Sequence, residues 1–192
     1  KSVYEITRSL RSHGLAREIS SKLKRNNIYK KYPKLNSEFI FLYPGFNMRN
    51  NEIGALIGLS QLKSLDKNIK IRSRNFNYYL KNINSCKFRN DFELEGSSNY
   101  ALPLILKKAS FTNRNKLEAL MKKNKIEFRR GNAGGGNQLL QPYIKKFIKN
   151  IKIRVYKETN HIHNFGYYIG NYPSLKLNKI KKICNILNSL KI

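Results

Sequence analysis

Few side chains in this sequence are of a type and spacing that could do chemistry. His161 and His163 alternate with Ile162, so on an extended strand both imidazoles would face one side, as two metal ligands or two hydrogen-bonding groups do. No Asp, Glu or Cys is spaced to complete a metal set with them, and His13 is the only other histidine. No metal is expected, and a hydrogen-bonding role toward a substrate or a satisfied surface histidine reads better. Arg129 and Arg130 end a predicted strand beside the run GNAGGGNQ, residues 131–138. Two adjacent guanidinium groups suit a bidentate clamp on an anion, and in a basic chain they equally suit plain solvation. The glycine run offers backbone N–H groups but is neither GxxxxGK[ST] nor a GxGxxG between strand and helix, so it reads as a mobile loop or as a loop that lets a ligand approach. No Ser/His/Asp or Cys/His spacing marks a nucleophile, and the 11 carboxylates form no acid–base pair. No residue is assigned a catalytic role.

These groups need elements to hold them. Val3, Ile6 and Leu10 share a helical face that stops at His13-Gly14, where glycine can take the left-handed cap conformation and a histidine cation suits the helix dipole. Residues 15–39 lack periodicity and read as a loop with one helical turn, followed by the apolar run Phe39–Leu42 and a corner at Pro44-Gly45. From Ile53 the apolar residues recur at three and four as far as Ile83, which predicts a long helix with a break near Asp66. Gly54, Ala55 and Gly58 lie on or beside its stripe and suggest close packing or an interface, since glycine inside a helix costs up to about 1 kcal/mol relative to alanine. Beyond Asn84 the period changes. NYALPLILK predicts a strand, NRNKLEALMKKNK a helix, IEFRR a strand, HIHNFGYYIGN a strand, and YPSLKLNKIKKICNILNSL a closing helix. That alternation is a small α/β module.

Composition sets the frame. The chain has 192 residues, 40% of them hydrophobic, which supports a folded core. Its net charge of +28 points to polyanions, but the cations are scattered in pairs such as Lys30-Lys31 and Lys122-Lys123, and Lys, Asn, Ile, Tyr and Phe are all residues of A/T-rich codons. A solvated face is favoured over a nucleic-acid patch. Two distant cysteines, no long apolar run and no signal-peptide pattern lead to the expectation of a reduced, cytoplasmic protein without a membrane span. Starting inside a helical pattern without an initiator Met, the chain is expected to be a piece of something longer.

Taken together, RSLRSHG, GFNMRNNEIGALIGLSQLKSLDKNIKIRSRNF, EFRRGNAGGGNQLLQPY and HNFGYYIGNYP resemble the C-terminal part of the DegT/DnrJ/EryC1/StrS family, pyridoxal-phosphate-dependent sugar aminotransferases of fold type I. The ending YYIGNYP resembles the branch acting on 4-keto-6-deoxy sugars of lipopolysaccharide, which includes 3-dehydratases. The resemblance implies the fold: residues 1–48 as the tail of a large cofactor-binding domain, 49–84 as a long connecting helix region, and 85–192 as a small C-terminal α/β domain with a short sheet. It implies a homodimer in which Asn47 hydrogen-bonds the phosphate of pyridoxal 5′-phosphate held by the other subunit. Arg49 and His13 would then lie near a nucleotide-sugar substrate, with Arg129, Arg130 and His163 lining the site from the small domain. The implied reaction is amino transfer from glutamate to a keto sugar, with 3-dehydration second and a nucleic-acid-binding module as the competing class. In the family the lysine holding the cofactor, or the histidine replacing it in dehydratases, precedes RSHG, so these 192 residues alone are expected to be inactive.

Overall fold

A computed structural model describes residues 2–48, 51–148, 150, 152 and 155–192. Its helices are α1 Ser2–Leu10, α2 Lys22–Lys31, α3 Glu52–Leu62, α4 Leu65–Asn82, α5 Phe111–Lys123, α6 Ile144–Phe147, α7 Lys157–Phe165 and α8 Leu177–Asn188, and its strands are β1 Ala101–Ile105, β2 Arg129–Arg130 and β3 Gly166–Gly170. The chain divides into two compact units: Lys1–Gly54 with Asn132–Asn164, and Ala55–Gly131 with Phe165–Ile192. Residues 132–164, expected within the C-terminal domain, therefore group with the N-terminal segment.

The second unit is built on an antiparallel sheet in the order β1-β3-β2. Alternation buries Leu102 and Leu104 of β1 and Tyr167 and Ile169 of β3 on one face, where α4, α5 and α8 supply Phe76, Tyr79, Leu117, Met121, Ile180, Cys184 and Leu187. Pro103 sits on an edge strand, where its missing N–H breaks no ladder, and its carbonyl accepts from the Tyr79 hydroxyl at 2.9 Å. The GNYP turn closes this core with amides. Asn171 Nδ2 donates to the carbonyls of Arg72 at 3.0 Å and Asn99 at 2.7 Å, and Asn75 Nδ2 donates to Asn171 Oδ1 at 3.3 Å and to the Leu175 carbonyl at 3.2 Å. Both asparagines are buried, and a buried amide left unmatched costs about 1–3 kcal/mol, so the turn is fixed to α4 by geometry as well as by packing.

The expected break in the long helix falls at Lys63-Ser64, between α3 and α4, and two other expectations are corrected. The stretch from His161 to Phe165 is helical, with only Gly166–Gly170 in the sheet. Two residues apart on a helix do not share a face, so His161 and His163 part company: His163 is buried and His161 is half-buried. The supposed loop of residues 15–39 contains the ten-residue α2, whose N-terminus is capped by Ser21 Oγ accepting from Lys24 N at 3.4 Å. That helix buries no residue, which leaves no hydrophobic period to read.

Candidate functional site

The first unit places two of the expected site residues side by side. After α1 the backbone turns left-handed twice in succession, at His13 (φ 61°) and Gly14 (φ 74°). The segment returning through Pro44-Gly45 then pairs with it. His13 N donates to the Phe46 carbonyl at 2.8 Å, Phe46 N to that of Leu10 at 2.7 Å, Met48 N to that of Arg11 at 3.2 Å, and Gly14 N to that of Ser9 at 2.7 Å. Ser12 and Asn47 form an antiparallel bridge. The two corners interlock so closely that a Cβ on Gly14 would lie 1.9 Å from the Tyr43 carbonyl oxygen, and one on Gly45 would lie 2.4 Å from Gly14 N. Only glycine fits either place. Ser9 and Ser12 are buried beneath, Ser9 Oγ donating to the Leu15 carbonyl at 3.1 Å. The edge so fixed leaves His13, Phe46, Asn47 and Met48 exposed. It therefore offers a neutral amide and an imidazole to whatever meets it, with the backbone already ordered. Arg49, the next expected contributor, lies outside the described residues.

His163 belongs to the same compact unit but supports the glycine loop from inside. It is buried, its Nδ1 accepts from Asn137 N at 3.1 Å, and a Cβ on Gly136 would sit 2.2 Å from that nitrogen. Burial pushes its pKa below the usual imidazole range, against a hydrogen bond to the Lys34 backbone. An imidazole in these contacts is neutral and turned inward, which answers the substrate-lining expectation with a structural role. Gly135 and Gly136 are thus packed against the chain's own side chains, while a Cβ on Gly134 would meet nothing within 4 Å.

Arg129 and Arg130 belong to the second unit. Arg130 is engaged with Glu118, Nε to Oε1 at 2.8 Å and Nη2 to Oε2 at 2.7 Å, while the Tyr167 hydroxyl donates to Oε1 at 2.9 Å. Burial pushes the Glu118 carboxyl up, but the bonds from Arg130 and Tyr167 outweigh it and leave the pKa below the ordinary value. The anion clamp foreseen at this arginine pair is thus half filled by a carboxylate of the chain itself. Arg129 is exposed and lines a groove of about 750 Å³ with Tyr100, Phe128, Tyr168, Lys125 and Lys182, a lining able to hold an anion beside a planar group. Among the described residues no group of three metal-ligating side chains occurs.

The profile of the DegT/DnrJ/EryC1/StrS aminotransferase family matches residues 1–188. The chain belongs to that family. Among its relatives, the lipopolysaccharide biosynthesis protein RfbH of Salmonella typhimurium is 30% identical over 145 residues, covering 72% of this chain and 32% of RfbH. The GDP-4-keto-6-deoxy-D-mannose 3-dehydratase of Escherichia coli O55:H7 is 26% identical over 189 residues, covering 96% of this chain and 47% of the dehydratase. A solved Escherichia coli GDP-4-keto-6-deoxy-D-mannose-3-dehydratase with bound hydrated PLP superposes with a TM-score of 0.56 at 24% identity, again over 96% of this chain and 47% of the other. The fold is therefore that of fold type I family members, of which this chain is a C-terminal portion. The chain spans at most about half the length of these relatives, whose family uses pyridoxal phosphate.

Sequence reasoning passed over Gln141, Glu118 and Tyr167. Each acts through a partner distant in the chain, and neither its type nor its spacing carries a signal.

Proposed function

We propose that the chain is the C-terminal portion of a pyridoxal-phosphate-dependent enzyme that removes the 3-hydroxyl of a nucleotide-linked 4-keto-6-deoxy sugar in lipopolysaccharide biosynthesis. The observation that carries this reading is the interlocked edge bearing His13 and Asn47, the two side chains that the family motifs single out. Amino transfer to the same kind of sugar, with glutamate as donor, is the second reading and is favoured by the family description. Dehydration moves ahead of it because a relative matched over 96% of the chain is a 3-dehydratase.

Asn47 fits one part of the cofactor. Its amide is a neutral donor that can satisfy a phosphate oxygen without adding charge, and its exposure on a fixed edge leaves it free to reach a second subunit. The cofactor, when bound, supplies an electron sink for a carbanion at the carbon joined to its nitrogen. His13, and Arg49 beyond the described residues, would contact the sugar or its diphosphate. Arg129 would meet substrate anions in its groove, and Arg130, restrained by Glu118, would hold the β2 edge in place. The enzyme works as a homodimer with each site shared.

The full-length protein carries the test. Incubated with GDP-4-keto-6-deoxy-D-mannose and glutamate, it should yield a product that has lost the 3-hydroxyl, whereas a product with an amine in place of the keto oxygen would establish the second reading. Asn47→Ala should weaken pyridoxal phosphate retention about tenfold, the loss of roughly 1–3 kcal/mol expected of one buried hydrogen bond. Heterodimers pairing an Asn47→Ala protomer with one disabled at its upstream cofactor residue should have no intact site. Activity equal to one normal site would refute sharing between subunits.

A further inference from the structure

The reading of Asn47 leaves unexplained why a glutamine is wholly buried behind its edge. Gln141 has no solvent exposure, and its side chain joins two segments about a hundred residues apart. Phe41 N donates to its Oε1 at 3.0 Å, and its Nε2 donates to the carbonyls of Phe39 at 3.0 Å and Gly135 at 2.9 Å. Both of its N–H donors are used, and no apolar side chain of that shape could replace them.

The 39–42 segment passes this restraint on to the candidate edge. Ala16 N donates to the Ile40 carbonyl at 2.9 Å, Leu42 N donates to that of Gly14 at 2.8 Å, and Leu15 bridges Phe41. The Phe41 ring meets the His13 ring edge-on, with centroids 6.4 Å apart. On its other side Phe41 lies against the glycine loop, where a Cβ on Gly135 would fall 2.4 Å from its Cε2. The glycine run thus lets the loop close onto Phe41, and Gln141 fastens it there.

We propose that Gln141 is a positioning residue for the His13–Asn47 edge, acting through Phe41, and that the GNAGGGNQ loop is its anchor and not a ligand cradle. This rests on the assignment of Asn47 to cofactor phosphate, and the experiment separates the two. In the full-length protein, Gln141→Met keeps the volume and removes all three hydrogen bonds, and Gln141→Glu keeps the acceptor for Phe41 N but loses both donors. Each is combined with Asn47→Ala, and the dissociation constant of pyridoxal phosphate is measured by titrating the apo protein well below its melting temperature. Hydrogen exchange at Phe41 N–H serves as a readout independent of the cofactor.

Either Gln141 variant should weaken pyridoxal phosphate about tenfold, yet by less than about twofold in the Asn47→Ala background, because coupled residues are non-additive. Exchange at Phe41 should quicken in Gln141→Met. Undiminished weakening in both backgrounds, or a lowered melting temperature with unchanged affinity, would overturn the positioning role and leave Asn47 standing. No effect of Asn47→Ala by itself would sink the Asn47 assignment and this inference with it. If neither variant folds, Gln141 belongs to the stability of the unit and the proposal fails.

Discussion

Glu118 shows what a single residue contributes once its partners are known. It is buried against Arg130 and Tyr167, and its folded-state pKa lies below the ordinary value. Protons then bind more readily to the unfolded chain, so the stabilisation is complete above the usual carboxylate pKa and disappears as pH falls through the lowered one. Glu118→Gln should flatten the dependence of melting temperature on pH between about 5 and 3, and thermal denaturation in that range is the check. His163 has the same sign at a higher pH: burial lowers its pKa, so its contribution is complete above the ordinary imidazole value of about 6.5 and declines below it. Asn47 and His13 were legible only as candidates, whose roles remain proposals, because they sit in short contiguous motifs. The salt bridge at Arg130 and the inward role of His163 were not, because Glu118, Tyr167, Asn137 and Lys34 reach them only through the fold.

Among the elements, those with a recurring apolar pattern were readable and those without one were not. α4, α5, α8 and β1 place apolar residues at the spacing their geometry demands, and they lie where the pattern puts them. α2 has no buried residue. α7 was misread because His-Ile-His-Asn-Phe alternates by chance at a strand's period. α3 is the opposite extreme: its apolar residues occupy every side, and all are exposed, Leu56 at 67% and Leu59 at 62%. A helix apolar all round is ordinarily buried, and an exposed apolar patch of that length promotes association. The 192-residue chain should therefore self-associate and bind a hydrophobic dye, and Leu56→Lys with Leu59→Lys should reduce both, as light scattering and dye fluorescence would report. The same pair in the full-length protein should damage assembly, because there the helix is expected to be covered.

Across the whole molecule, sequence and structure agree on a mixed helical chain with a short sheet, which the structure shows to be antiparallel. They differ on how residues 132–164 are grouped. That grouping depends on contacts such as Gln141 to Phe41, which span a separation that no local pattern records. No described helix is long and apolar enough to cross a membrane. The 192 residues on their own should show no absorbance band of covalently bound pyridoxal phosphate that borohydride abolishes. Such a band would mean that one of the 27 lysines had taken the role assigned to a residue preceding RSHG.

Glycine codons begin with two guanines, while much of this sequence has the look of a gene drifting toward adenine and thymine. The Gly14–Gly45 interlock is a place where such drift has to stop. Each missing Cβ is replaced by another stretch of backbone, and main chain cannot rotate aside as a lysine tip can. Random mutagenesis of the full gene under selection should therefore leave codons 14 and 45 empty of survivors other than synonymous ones. The lysine codons of α2, whose side chains stand in water, should accept almost any replacement. The contrast between those two stretches would measure how far a biased genome can rewrite an enzyme before it meets a position that only one amino acid can fill.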